Sequence, residues 1–195
     1  MTQATTSHVI EVPKWLRELH GTRSTRRDLV LVQGCAWGVT ALVAALAFAE
    51  GLPLWAVALL ALLVVDIAGG VVSNVTPGTN AHYNRSRRAR VVFLALHVLQ
   101  PAALVWLFPG WAVPVAGIAV LTLVTAFGIE AQGRRAAAAP VAVSAAVGLV
   151  ALIMLAPAAF GTAPFLGLPL ILVLYVLKVA VAFPVDWHPT HGHGG

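Results

Sequence analysis

Long apolar runs, separated by short polar or turn-forming segments, dominate the chain. A transmembrane helix needs about 20 consecutive and mostly apolar residues, and six runs have about this length. They are Leu29–Ala49, Leu52–Val75, Val91–Phe108, Trp111–Ile129, Ala136–Phe160 and Pro164–Val185. The pattern predicts an all-α integral membrane protein with six transmembrane helices in residues 29–185. A polar arm, residues 1–28, precedes this domain, and a His-containing tail, residues 186–195, follows it.

Composition supports a membrane protein. Of the 195 residues, 59% are hydrophobic and only 10% are charged, whereas an ordinary soluble domain has roughly 25% charged residues. So few charges cannot cover a surface that faces water, and this excludes a soluble globular domain. The single cysteine, Cys35, excludes a disulfide framework and a cysteine-rich zinc site.

The basic residues predict the orientation of the spans. Eleven of the 12 Lys and Arg lie in the arm or in the second-to-third and fourth-to-fifth connections, and only Lys178 lies within a span. The positive-inside rule places these segments in the cytoplasm. We therefore predict three in–out–in hairpins in the cell membrane, with both termini cytoplasmic. This clustering argues against a nucleic-acid partner. It leaves membrane lipids as expected partners and a homo-oligomer open.

The arm has an amphipathic pattern. From Pro13 onward, Trp15, Leu16 and Leu19 fall on one helical face. This predicts a short interfacial helix, and the arginines that follow it would contact anionic headgroups. The alternative is a solvated arm that only sets the topology.

The second span carries a face of small and polar residues, namely Asp66, Gly69, Gly70, Ser73 and Asn74. Their spacing of three and four places them on one side of a helix. Glycines allow another backbone to approach closely, and we interpret them as packing residues. A carboxylate within a span is costly and marks a functional site by default, so we interpret Asp66 as functional.

The third span carries His97 and Gln100 on one face, followed by Pro101. A proline within a helix leaves the carbonyl four residues earlier without its usual donor. This predicts a bend near His97.

Depth brings three polar residues together. With a rise of about 1.5 Å per residue, Asp66, His97 and Lys178 fall in one layer of the inner leaflet. A lysine at that depth needs an acid or a water-filled cavity, and Asp66 is the only acid there. We predict an Asp66–Lys178 pair with His97 beside it as a titratable group.

A second polar layer is expected at the cytoplasmic rim. His82, in a turn-rich connection, together with Asp186 and His188, offers a carboxylate and two imidazoles for zinc or another divalent metal. No HExxH spacing is present, and the alternative is a frayed tail. A substrate or headgroup would be held by a further set of polar residues, Asn74, Arg85, Arg87, Arg88 and Tyr175.

Three functions remain open. The first is a membrane-embedded enzyme that acts on a lipid or isoprenoid from the cytoplasmic side, with Asp66, His97 and Lys178 as catalytic groups. The second is a non-catalytic membrane subunit whose polar face serves packing or assembly. The third is a small proton-coupled transporter. No nucleotide-binding or hydrolase fingerprint occurs in the sequence, so the reaction type is not predicted.

Overall fold

A computed structural model describes residues 9–13, 23–84, 86–133, 136–161 and 165–189. In this part of the chain, five helices are long and apolar enough to cross a membrane. They are Arg26–Ala49, Leu54–Ser73, Arg87–Leu107, Pro109–Ala131 and Ala139–Phe160. They lie at the first five predicted spans. At the place of the sixth predicted span lies a shorter apolar helix, Gly167–Ala182.

The helices are numbered here in chain order. They are α1 (Arg26–Ala49), α2 (Leu54–Ser73), α3 (Pro77–Asn84), α4 (Arg87–Leu96), α5 (Leu99–Leu107), α6 (Ala112–Ala131), α7 (Ala139–Phe160) and α8 (Gly167–Val176). Helix α8 continues as a π-helical segment, Leu177–Ala182. Short 3₁₀ turns precede α6 at Pro109–Trp111 and α7 at Ala136–Ala138.

Two short strands in the arm were not predicted. Strand β1, Val9–Glu11, pairs in antiparallel orientation with β2, Arg23–Thr25. The interfacial helix expected at Trp15, Leu16 and Leu19 falls in residues 14–22, outside the described part of the chain.

The end of β2 starts the first long helix. The Thr25 hydroxyl accepts a hydrogen bond from the Asp28 backbone N–H at 3.1 Å, and the Asp28 carboxylate accepts one from the Thr25 N–H at 3.3 Å. This reciprocal capping box satisfies two backbone donors that have no partner within the helix. Helix α1 therefore begins at Arg26, whereas the apolar run begins at Leu29.

The connection between the second and third spans is a helix, α3, and the expectation of a turn-rich loop there was wrong. Pro77 at its first position has a φ suited to a helix start and needs no N–H partner. The buried side chains of Thr79, Asn80 and Tyr83 turn one face of α3 toward the protein. Tertiary contacts thus stabilise a helix in a sequence rich in turn formers.

The shortest apolar helix is the innermost one. Helix α8 and its π-helical extension pack against α2, α6 and α7. Most of their side chains are buried, including Ile171, Leu172, Tyr175, Val176, Lys178, Val179 and Ala180. Helix α1 packs mainly on α2, where a Cβ on Gly69 would lie 3.2 Å from the Ala36 Cβ. The longer helices thus surround α8, and a polar residue on α8 lies inside protein.

Candidate functional site

The predicted pair between α2 and the last helix is confirmed. Lys178 Nζ lies 2.8 Å from Asp66 Oδ2 and donates a hydrogen bond to it. The Lys178 side chain is 1% exposed, whereas the Asp66 side chain is 51% exposed. The lysine is therefore enclosed behind the carboxylate, and the carboxylate is accessible from outside the bundle.

Lys178 lies in the π-helical segment, where the Phe183 N–H bonds to the Lys178 carbonyl at 3.0 Å. Such single-turn π segments occur frequently at functional sites because the extra residue changes the direction of the side chains. The apolar pattern of the last span gave no signal of this change in helix type.

Gly70 provides the space that the lysine occupies. A Cβ at Gly70 would lie 2.8 Å from Lys178 Cδ and 3.0 Å from its Nζ, distances that real Cβ atoms do not tolerate. The sequence interpretation of both glycines as helix-packing residues therefore fits Gly69, which meets α1. Gly70 instead allows the Lys178 side chain to cross the α2 backbone and reach Asp66.

The third span is interrupted where the proline predicted a bend. Helix α4 ends at Leu96 and α5 begins at Leu99. The His97 carbonyl, four residues before Pro101, accepts a hydrogen bond from the Tyr175 hydroxyl at 3.2 Å. Tyr175 was predicted to bind a substrate or headgroup, and in the structure it ties α8 to this interruption.

The His97 ring lies beside Phe93 at the same interruption. Its Nδ1 is 2.7 Å from the Phe93 carbonyl oxygen, so Nδ1 carries the proton and donates. Nε2 is then an acceptor, and it is buried with no hydrogen-bond partner among the described residues. The Phe93 ring centroid lies 4.2 Å from that of His97 and 5.8 Å from Lys178 Nζ. One aromatic ring thus contacts both polar groups.

Gln100 is a site residue that the candidate set left out. Its Nε2 donates to Asp66 Oδ2, the same oxygen that Lys178 contacts. This bond fixes the amide orientation, because the opposite one would place two oxygens against each other. Gln100 Oε1 is then a buried acceptor without a partner in the described chain. The spacing of Gln100 from His97 was the available signal.

Asp66 and Gln100 join α2 to the α4–α5 pair through their hydrogen bond. The backbones of these helices make few close approaches. Near the start of α2 and the end of α5, Trp55 and Trp106 touch, with ring centroids 5.3 Å apart. Leu62, one turn before Asp66 on α2, is 67% exposed. The accessible carboxylate thus lies one turn from an exposed apolar side chain of the kind that faces lipid.

The end of the bundle at the start of α4 and the end of α6, called the rim here, contains a second ion pair that was not predicted. Arg90 and Glu130 are both buried and bond through two pairs of atoms, with Nε–Oε2 and Nη2–Oε1 distances of 2.8 Å. Arg90 Nη1 also donates to the Tyr83 carbonyl at 2.9 Å. Glu130 thus neutralises a buried guanidinium.

The predicted metal ligands are not brought together. The described residues contain no group of three His, Cys, Asp or Glu side chains suited to a metal. His188 Nε2 lies 2.9 Å from the Val75 carbonyl oxygen, and Asp186 Oδ1 accepts from the His188 N–H at 3.3 Å. The His82 ring packs edge-on against Tyr83.

The segment after the last helix folds back against the bundle. Trp187 Nε1 donates to the Ala182 carbonyl at 3.0 Å, and Asn80 Nδ2 donates to the Val185 carbonyl at 3.2 Å. His191 and His193 lie outside the described residues. Bonds to Asn80 on α3 and to the Val75 carbonyl thus hold residues 185–188 against this end of the bundle.

The other predicted headgroup residues lie nearer the rim. Arg87 and Arg88 are exposed at the start of α4, and Arg85 lies outside the described residues. Asn74 is buried at the end of α2, and its Nδ2 has no hydrogen-bond partner among the described residues. Among the described members of this set, none bonds to Asp66, whose partners are Lys178 and Gln100.

Comparison with known proteins assigns no family. The chain matches no family model, and neither a curated protein nor a solved structure is significantly similar to it. A functional interpretation therefore rests on the geometry.

Proposed function

We propose that the protein is a six-span enzyme of the cell membrane, with both termini cytoplasmic, that acts on a lipid or isoprenoid. The substrate's polar end would enter laterally between α2 and α4–α5. The observation that carries this proposal is the Asp66 carboxylate, which is accessible within an apolar span and is held from behind by the enclosed Lys178. An ionised side chain on a lipid-facing surface raises the free energy of the folded protein in the membrane. A polar ligand bound at Asp66 would lower that free energy.

The contacts support separate roles for the polar residues. Asp66 Oδ2 is occupied by Lys178 and Gln100, while no contact among the described residues occupies Oδ1. Oδ1 is thus free to act as a general base toward a bound substrate. Lys178 and Gln100 fix the carboxylate and are positioning residues. His97 offers a second acceptor, Nε2, beside Phe93.

The rim arginines support a substrate with an anionic headgroup at the interface. Arg87 and Arg88 are exposed at the start of α4, roughly 15 Å along the helix axis from His97 by a rise of 1.5 Å per residue. A membrane lipid carries its phosphate at the interface, which suits the arginines, and the part of the molecule next to the headgroup would reach Asp66 further in.

The test is product analysis in membranes. Purified full-length protein, reconstituted in vesicles of a total lipid extract, should change the abundance of at least one lipid or isoprenoid species. The Asp66→Asn variant should lose this change, whereas Glu50→Gln, which alters an acid at an outer turn, should retain it. A metal chelator should have no effect, because the described residues assemble no group of three metal-ligating side chains. If lipid co-purifies with the protein but stays chemically unchanged, the proposal of an enzyme is wrong. The protein would then be a non-catalytic lipid-binding subunit.

A further inference from the structure

The site between α2 and α5 presents three hydrogen-bond acceptors without partners among the described residues. They are Asp66 Oδ1, Gln100 Oε1 and His97 Nε2. In each side chain the other polar atom is already bonded. Asp66 Oδ2 accepts from Lys178 and Gln100, Gln100 Nε2 donates to Asp66, and His97 Nδ1 donates to the Phe93 carbonyl. The His97 and Gln100 residues are more than nine-tenths buried, so bulk water does not satisfy their free acceptors. A buried acceptor without a donor carries its full desolvation cost.

The charge of the site is balanced before any ligand binds. Lys178 and Asp66 carry opposite charges and lie 2.8 Å apart, so their sum is zero. An ammonium group would add an unbalanced positive charge next to Lys178. A phosphate or carboxylate would face the Asp66 oxygen and the two neutral acceptors. Either ion would lose its hydration without compensation in an apolar span.

We infer that the group bound at Asp66 is a neutral hydroxyl, and that the ligand is a long-chain or isoprenoid alcohol or a hydroxyl-bearing lipid. A hydroxyl supplies the single donor that Asp66 Oδ1 requires and adds no charge. The apolar surface that borders the carboxylate, including the exposed Leu62, suits the hydrocarbon chain of such a ligand. This inference rests on the proposed function, because it names the chemistry of that same site.

Competition in a photolabelling experiment tests the inference. A diazirine-bearing long-chain alcohol is added to the full-length protein in phosphatidylcholine vesicles, and the labelled peptides are identified by mass spectrometry. The competitors share one chain and differ at one end: hexadecanol, hexadecyl methyl ether, hexadecylamine, palmitic acid and hexadecyl phosphate. Label is expected on α2 and α5, and hexadecanol should compete about tenfold or more better than each of the others, the value of one hydrogen bond to a charged group.

The matched variants separate binding at Asp66 from general partitioning. Asp66→Leu combined with Lys178→Met removes the acceptor and the lysine together, so no buried charge is stranded. Label on α2 and α5 should fall about tenfold or more in this variant and remain unchanged in Glu50→Gln. Equal competition by the methyl ether, or label that persists in the double variant, would overturn the inference, and so would tighter competition by the amine or by either acid.

The two proposals fail differently. If hexadecanol competes as expected but no lipid species changes in the reconstituted vesicles, the proposal of an enzyme is wrong and the inference of a hydroxyl-binding site is retained. If a species changes in an Asp66-dependent manner but the amine or an acid competes best, the enzyme stands and the hydroxyl inference is wrong.

Discussion

Lys178 and Asp66 form one ion pair with very unequal exposure, since the lysine side chain is 1% exposed and the aspartate side chain is 51% exposed. An ion pair that only stabilises a bundle tends to bury both partners. Here the lysine has no other acid within salt-bridge distance among the described residues, while half of the carboxylate remains accessible. This asymmetry makes Asp66 the member of the pair that is available to a ligand.

The pair predicts a strong dependence of stability on Asp66. Asp66→Ala leaves Lys178 enclosed without a counter-charge, and we expect the free energy of unfolding to fall by about 3–5 kcal/mol. Adding Lys178→Met to Asp66→Ala should recover much of this loss, because it removes the stranded charge. Denaturant titration in mixed micelles measures the stability of Asp66→Ala, of Lys178→Met and of the double variant. A double variant as destabilised as the sum of the two single variants would show that the two side chains do not interact.

Gly70 gives a second prediction. Gly70→Ala places a Cβ 2.8 Å from Lys178 Cδ, and we expect a destabilisation of about 1–3 kcal/mol from overpacking. The lipid change that depends on Asp66 should fall as well, because the lysine can no longer reach the carboxylate along this path. Thermal unfolding and the vesicle assay measure the two effects.

Gly128→Ala is the matched control for Gly70. A Cβ at Gly128 would have no atom within 4 Å, so this helical glycine should tolerate alanine and gain up to about 1 kcal/mol of helix propensity. If Gly70→Ala behaves like Gly128→Ala, the Lys178 side chain does not lie over α2 as described.

The sequence predicted the five long helices because each lies at a long and mostly apolar run. It predicted the Asp66–Lys178 pair because only one acid lies at the depth of the lysine. The depth of each residue was enough to predict this pair, although the sequence does not show which helices are neighbours. A charged side chain within a span needs a partner of opposite charge.

Other features depend on tertiary contacts that no local pattern contains. The π-helical turn at Lys178 and the role of Gly70 follow from the packing of α8 against α2. Helix α3 forms in a turn-rich sequence because Asn80 and Tyr83 are buried against the rest of the protein. The metal hypothesis was built on residue types near one rim, but the described residues assemble no group of three such side chains. His188 and Asp186 bond instead to the Val75 carbonyl and the His188 backbone N–H.

The rim pair predicts a second centre of stability, separate from the proposed site. Glu130→Ala leaves the buried Arg90 guanidinium with only the Tyr83 carbonyl as acceptor among its described contacts, and we expect a loss of about 3–5 kcal/mol. Photolabelling of α2 by the long-chain alcohol should be unaffected in protein that remains folded. Thermal unfolding in detergent measures the loss.

Arg88→Ala is the control for the rim pair. Arg88 is exposed on the same helix as Arg90, and its removal should change stability by no more than about 0.5 kcal/mol. Equal effects of Glu130→Ala and Arg88→Ala would mean that the buried ion pair contributes nothing beyond an ordinary surface charge.

The orientation of the chain gives the last prediction. The basic residues cluster in the arm and in two of the five connections, which the positive-inside rule places in the cytoplasm. An alkaline phosphatase fused after Gly195 should therefore be inactive, and a fluorescent protein at the same point should fluoresce. In a Cys35→Ala background, a cysteine at Gly110, in the turn before α6, should react with a membrane-impermeant maleimide added to intact cells. An active phosphatase at Gly195 together with a protected cysteine at Gly110 would invert the topology and move the rim arginines to the outer face.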